Sequence, residues 1–424
     1  MYEVFFLILS VALVIGAYIK KPNVWLWISS ILAAIPFLSY VFDYTGLGTY
    51  NAFVAFVSLS AALAMFFSGF ALDRYPTASS LIIASAMGAL VAAMSKNRLR
   101  IIVGRELGSV PTYLLVAYEG RYEAAKKYAS VGIIGSTLML LGLVMYAISM
   151  GTLELLSIVD DTLARIGAIF ILTGMLVKLP VFPVHGRLVD VFDNGYSRSL
   201  PRIASGTKVV VFAALTYAVV KSLGVYDIRL YLAILIAISM TYANIAALYE
   251  EDVLRILAYS TIAHASYAAI ALAALTNQAL IGMRIHILGT AAMKGGLLAF
   301  IVVEGIRNLE DLAGLVKRRR IAVAFIASVL SLIGIPPFIG FRSKYRLFMG
   351  SVGTDFRRLA VLLIINTVIS IGYYGKLITK AFEDGEPKAK DHRLLAIAIV
   401  IVLMLSLLPR YLFDFASEAI SAVM

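Results

Sequence analysis

The chain has 424 residues, 61% of them hydrophobic and 15% charged, with a mean hydropathy of +0.91. Soluble domains are about a quarter charged and under half apolar. This much apolar surface cannot be hidden in one water-soluble core, so the surrounding medium must be lipid, which excludes a soluble enzyme, a nucleic-acid-binding domain and a disordered scaffold. The chain contains no cysteine, which excludes disulfides, thiolate-held iron–sulfur clusters and a cysteine nucleophile within it. Four histidines, His185, His264, His286 and His392, are too scattered for a metal site. The formal charge of +12 reads as basic loops held on the cytoplasmic side, with no nucleic-acid partner.

A bilayer core of about 30 Å needs about 20 apolar residues per helix. Fourteen runs approach that, at 4–19, 24–42, 50–72, 77–95, 100–118, 126–149, 163–193, 200–220, 229–248, 253–275, 284–303, 321–350, 359–380 and 394–413. The expected fold is all-α, a polytopic protein of the cell membrane with about fourteen transmembrane helices. The first run is read as a retained helix, because Lys20-Lys21 follows its apolar stretch and no small-residue cleavage site comes after it. The seventh run holds Pro180 and Pro183, and the twelfth holds Pro336 and Pro337. Proline removes a backbone donor and clashes with the preceding turn, so helices 7 and 12 should break there. Two long interrupted helices suggest two structural repeats around an ion site; two unrelated kinks are the plainer alternative. The expected organisation is a three-helix segment over 1–76, five-helix units over 77–222 and 228–382, and a C-terminal helix within 393–424.

Loops after odd-numbered runs hold the larger share of basic residues, among them Lys20, Lys21, Arg74, Arg121, Lys126, Lys127, Arg187, Arg202, Arg255, Lys317, Arg318, Lys388 and Lys390. Loops after even-numbered runs hold Lys96, Arg98, Arg100, Lys221, Arg229, Arg284, Arg357 and Arg358. The excess places the odd loops in the cytoplasm and both termini outside.

Ionisable groups at bilayer depth cost at least about 2.5–3.5 kcal/mol each, so they must pair, face water or work. Glu106, Lys178, Lys208, Lys294 and Lys344 stand at such depth, with His264 as a sixth candidate. Glu106 needs a partner on another helix, since Arg105 beside it points elsewhere. Lys178 precedes the first break, where it either takes part in proton exchange or simply caps the broken end. Lys344 follows the second break. Lys208 lies about 12 Å into its run and Lys294 about 15 Å into its own at 1.5 Å per residue. A buried neutral role for lysine is rare, whereas a lone histidine is commonly a hydrogen-bonded core residue. His185 and Asp190 are accessory candidates; Arg187 and Asp190, three apart, are suited to pair on a helical surface. His286 is read as interfacial, close to a helix end.

Several stretches together resemble the antiporter-like membrane subunits of respiratory complex I, shared with membrane-bound hydrogenases and Mrp-type antiporters. They are Arg105-Glu106-Leu107, Lys178-Leu179-Pro180-Val181-Phe182-Pro183-Val184-His185, Ser205-Gly206-Thr207-Lys208, Leu254 through His264, Met293-Lys294, Asp311 through Leu315, and Gly334-Ile335-Pro336-Pro337 through Lys344. The short chain looks most like the N-type (ND2-type) subunit. The resemblance implies inverted five-helix repeats, a Glu106–Lys178 pair, Lys208 as a central lysine and Lys344 as an exit-side lysine. It implies a translocase subunit for proton transport without a redox centre of its own, with FMN, iron–sulfur clusters and quinone in partner membrane subunits. A subunit of an Mrp-type cation/proton antiporter, or of a hydrogenase-type complex, is the alternative. The sequence departs from several relatives in carrying Thr290 where they have a histidine four residues before the lysine.

Overall fold

In hydrocarbon no water satisfies backbone N–H and C=O groups, so each apolar run must close its own hydrogen bonds as a helix. The structure, a computed structural model, describes residues 2–42, 52–71, 76–95, 97–154, 161–193, 198–222, 226–388, 392–404 and 414–418. Among these there is no strand, and the chain is all-helical. The N-terminal part comprises α1 (Tyr2–Gly16), α2 (Pro22–Ala33), α3 (Ile35–Phe42) and α4 (Ala52–Ala71). Next come α5 (Pro76–Met94), α6 (Arg98–Tyr118), α7 (Tyr122–Met150), α8 (Thr162–Lys178), α9 (Gly186–Asp193) and α10 (Thr207–Ser222). They are followed by α11 (Tyr226–Tyr249), α12 (Val253–Ala274), α13 (Asn277–Glu304), α14 (Arg319–Ile333), α15 (Ile339–Val352), α16 (Arg357–Phe382) and α17 (Arg393–Met404). Eight of the described spans are long and apolar enough to cross a membrane.

Small residues let the helices meet at backbone distance, as lipid-embedded packing requires. A methyl on Gly142 would strike the Gly167 carbonyl and one on Gly174 the Gly135 carbonyl, which fixes α7 on α8. Gly88 and Gly104 do the same between α5 and α6, while a methyl on Gly108 would strike Val210 of α10. The apolar spans of α12 and α13 are 100% buried, against 33% for those of α7 and α16. Helices that are hydrophobic all round become central, and these two form the axis of the molecule.

One arrangement occurs twice. Asn97 caps α6, accepting from the Leu99 and Arg100 N–H groups, while Arg98 N–H donates to Leu153 O at 2.8 Å beyond the end of α7. Asp252 caps α12, accepting from Leu254 and Arg255, while Val253 N–H donates to Arg307 O at 2.7 Å beyond the end of α13. Each cap also forms an isolated β-bridge, Asn97 with Glu154 and Asp252 with Asn308. Around Asp252, ion pairs tie helix ends together: Arg255 to Glu250 at 2.8 Å and to Asp193 at 3.4 Å, and Arg307 to Asp252 at 3.0 Å.

Several sequence boundaries need correction. The second run is two helices, α2 and α3, joined at Ala34 just before Pro36. The eleventh helix begins at Asn277, not at 284, so Arg284 lies inside α13, buried with its guanidinium 4.9 Å from the Phe53 ring centroid. Arg187 and Arg202, counted above as loop charges, are likewise buried. Aromatic faces and backbone carbonyls let an arginine sit inside the helical bundle, which is why a charged residue was a poor marker of a helix end. Arg74, Lys96 and Lys390, residues 50–51 of the third run and 405–413 of the last lie outside the described residues.

Candidate ion-translocation site

At the first break α8 stops at Lys178 and Leu179 turns to extended backbone. Of the carbonyls freed there, that of Val177 accepts from Arg187 Nη2 at 2.5 Å, from the far side of the break. Arg187 also lies 5.2 Å from the Tyr128 ring centroid. Its supposed partner Asp190 instead pairs with Lys127 at 3.1 Å. Relieved of capping, Lys178 Nζ donates to the Glu106 carboxylate on α6. The lysine side chain is 1% exposed and the glutamate side chain 29% exposed. Arg105 donates to Ser109, one turn along the same helix. Arg105, Lys178 and Arg187 line one cavity of about 10 Å³ with Tyr113 and Tyr128, roughly the room one water needs.

At the second break α14 ends at Ile333 and Gly334 takes φ +93°, which favours glycine. Here the lysine itself holds the broken end: Lys344 Nζ donates to Leu332 O at 3.2 Å and Ile333 O at 2.9 Å. Its ammonium stands 4.9 Å from the Tyr267 ring centroid.

Between the breaks, buried polar groups join into a chain. Lys294 Nζ donates to Ser260 Oγ at 2.5 Å, and Ser260 shares a hydrogen bond with Tyr374. Tyr374 Oη lies 3.4 Å from His264 Nε2, His264 Nδ1 is 3.1 Å from His286 Nε2, and His286 Nδ1 is 2.9 Å from Ser343 Oγ, next to Lys344. The imidazole rings are stacked at 5.1 Å. His286 is therefore not interfacial; it is 1% exposed at the middle of this chain. Two further hydroxyls complete its surroundings: Thr290 donates to the His286 carbonyl, and Ser343 donates to Gly340 O at 2.9 Å.

Lys208 stands apart. It is buried on α10 and its amine has no hydrogen-bond partner among the described residues. A π-helical turn, Arg202–Gly206, immediately precedes it; such widened turns favour functional sites. Arg202 lies fully buried in that turn, donating to Ser85 at 2.6 Å, and Ser85 donates to Gly108 O at 2.7 Å. The turn abuts α13, where Gly295, next to Lys294, packs against Ser205.

His185 is stacked between Phe182 at 5.6 Å and Tyr242 at 4.5 Å and joins no chain. His392 faces Glu304 at 3.8 Å. The structure thus gathers Glu106 with Lys178 in one place and Lys294, His264 and Lys344 in another, and leaves Lys208 between them. Sequence reasoning missed Ser260, Tyr374, His286 and Ser343. His286, Thr290 and Lys294, spaced four apart on one helical face, carried a usable signal.

An all-helical bundle with two interrupted helices and buried lysines at both breaks has the architecture of the antiporter-like membrane subunits. The "NADH:quinone oxidoreductase/Mrp antiporter, TM" family model matches residues 95–370, and the chain belongs to that family. It is 32% identical to NADH-quinone oxidoreductase subunit N 2 of Solidesulfovibrio magneticus, over 82% of this chain and 79% of that protein. It is also 32% identical to NADH-quinone oxidoreductase subunit N 2 of Syntrophobacter fumaroxidans, where the match covers 66% of this chain and 63% of the relative. In fold it is similar to a chain of respiratory complex I from Thermus thermophilus, with a TM-score of 0.83 at 24% identity over 98% of this chain and 99% of that one. A chain of the Mrp complex from Dietzia sp. gives a TM-score of 0.84 at 19% identity over 99% and 96%.

Proposed function

We propose that this chain is a proton-translocating membrane subunit of a complex I-like quinone oxidoreductase. One observation carries the reading: an unbroken, buried hydrogen-bonded series from Lys294 to Ser343. Hydroxyls and imidazoles both donate and accept, so a proton can pass along such a series by successive exchange, ending beside Lys344. The names of the curated relatives favour a redox-driven complex over an Mrp-type antiporter. Without cysteine the chain holds no thiolate-bound cluster, so the driving energy comes from partner subunits that carry FMN, iron–sulfur clusters and quinone.

In this reading α5–α10 and α11–α16 are inverted repeats, and the twofold cap arrangement at Asn97 and Asp252 supports them. Both termini face outward and the ion-paired ends around Arg255 and Arg307 face the cytoplasm. Protons enter past α8 and α10 and leave along α14–α15. Glu106 and Lys178 act as a switch. A pair of charges about 4 Å apart at an effective dielectric near 20 is worth about 4 kcal/mol. Separating them changes the field at unpartnered Lys208, which hands its proton toward Lys294 or holds it back. In the reconstituted complex, Glu106→Ala and Lys178→Ala should each remove proton pumping while electron transfer continues. An unchanged proton-to-electron ratio in both variants defeats the scheme. A preparation lacking iron–sulfur subunits but exchanging sodium for protons points to the antiporter instead.

A further inference from the structure

An open cleft of about 820 Å³ lies away from the lysine chain, between α11 and α16 at the helix ends opposite the Arg255–Arg307 belt. That volume falls within the range of small-molecule sites. One wall is a single face of α11, Leu230, Ala233, Ile234 and Ala237, at helical spacing. Leu359 and Leu362 of α16 form the other wall. The alanines open the space: larger residues at 233 and 237 would close the helices together. The cleft opens to its surroundings, and its lining is divided between apolar side chains and charged or polar ones, so an occupant with both an apolar part and a charged part suits it.

The mouth has a different character. Arg357 and Arg358 are exposed there, and neither has a carboxylate partner among the described residues. Asp355 also lines the mouth, so two cations face one anion, a net charge of +1. The neighbouring Arg229 is already spent on the end of α12, donating to Ala273 O at 2.7 Å and Ala274 O at 3.0 Å, with its guanidinium 4.9 Å from the Phe356 ring centroid. The cleft therefore pairs an apolar trough, running about 12 Å down α11 from Arg229 to Ala237 at 1.5 Å per residue, with two exposed guanidinium groups at its rim. Arginine grips phosphate by paired charge-assisted hydrogen bonds, and basic pockets between membrane helices hold anionic head groups.

We propose that this cleft binds one anionic phospholipid, its phosphate held by Arg357 and Arg358 and an acyl chain laid against Leu230–Ala237. The site requires only that the chain be embedded in a bilayer, so it stands or falls separately from the proton reading.

The experiment uses the purified, intact complex, washed in detergent and then examined for retained lipid by native mass spectrometry. The wild type should keep one anionic phospholipid through washing that strips zwitterionic lipid. Arg357→Gln with Arg358→Gln should lower retention at least about tenfold, since both charge-assisted contacts are lost. Ala237→Phe should do the same by filling the trough while both arginines remain. After harsher delipidation that also empties the wild type, vesicles of anionic phospholipid should restore its occupancy, and vesicles of zwitterionic phospholipid should not. Equal retention in the wild type and both variants overturns the proposal. So does an experimental structure of the complex in which a partner's helix fills the cleft, or equal rescue by either lipid.

Discussion

In the half built on α5–α10, the Val177 carbonyl at the helix break goes to Arg187, and the lysine beside it is released to a carboxylate on α6. In the half built on α11–α16, the carbonyls at the break go to Lys344 itself, and no carboxylate answers. The rest of each half follows suit. Three cations and one glutamate crowd the first, whereas hydroxyls and stacked imidazoles fill the second. Charged pairs respond strongly to small displacements because Coulomb energy changes steeply at short range. Hydroxyls and imidazoles can both donate and accept, so they pass a proton and its charge along by successive exchange without needing a fixed counter-ion. In the proposed reading the two helix sets are repeats of one frame, serving as a trigger on one side and a conductor on the other, with the difference set by a few side chains.

The sharpest way to break this contrast is to interrupt the conductor without touching its charges. Tyr374→Phe keeps the ring but removes the hydroxyl between Ser260 and His264, and should cut pumping in reconstituted complex by about tenfold or more. Thr261→Val is its control, because Thr261 Oγ1 donates to Leu257 O at 2.6 Å, one turn back on its own helix, and pumping should stay within about twofold. Equal loss in the two variants would erase the distinction between relay and packing. Next comes the scaffold of the first half. Gly88→Ala drives a methyl into the backbone of Gly104 and Gly108 and should destabilise the subunit by about 1–3 kcal/mol, read as a lower midpoint of thermal unfolding in detergent.

A smaller effect tests whether the halves are equivalent. In an Arg307→Gln background, which removes the ion pair at Asp252, Asn97→Ala and Asp252→Ala each remove a helix cap and should each cost about 1 kcal/mol. A large difference between them in thermal unfolding would speak against a shared frame. The smallest effect concerns Asp311, in the polar loop after α13. Burial opposes its ionisation, but backbone N–H groups of Arg307 and Asn308 and the Lys388 ammonium outweigh it and hold its carboxyl below the usual aspartate range. A depressed carboxyl stabilises the fold above its unfolded-state value and loses that contribution as pH falls through the folded-state value. Stability should therefore be flat near neutrality and decline below about pH 4, and Asp311→Asn should weaken that decline.

Much of this was legible in the amino-acid order, for reasons the residues make plain. Lysines and prolines inside apolar runs are costly, so Lys178, Lys208, Lys294 and Lys344 announced themselves. Pro111 shows the limit of that logic, since α6 runs through it without interruption; at the two breaks, prolines come in closely spaced sets. Arg284 misled because a guanidinium beside an aromatic ring looks, in sequence, like a helix terminus, and that error pushed His286 to the membrane surface. Tyr374 and Ser260 could not be singled out, because tyrosine and serine are common in apolar helices and only the folded packing of α12, α13 and α16 brings their hydroxyls together. Asn244 and Asn366 were overlooked although asparagine is rare at that depth; they bond one another at 3.0 Å, and Asn244 also donates to Tyr267 at 2.7 Å.

The complete enclosure of α12 and α13 has a mechanical consequence. Where a bilayer is thicker or thinner than the protein's apolar band, the mismatch is met by tilting or bending whichever segments touch the acyl chains. Here that strain falls on the outer ring, on α2–α3, α7 and α16 foremost, while the enclosed α12 and α13 keep their register. The spacing between His264 and His286, on which the proposed relay depends, is in this way shielded from changes in membrane thickness.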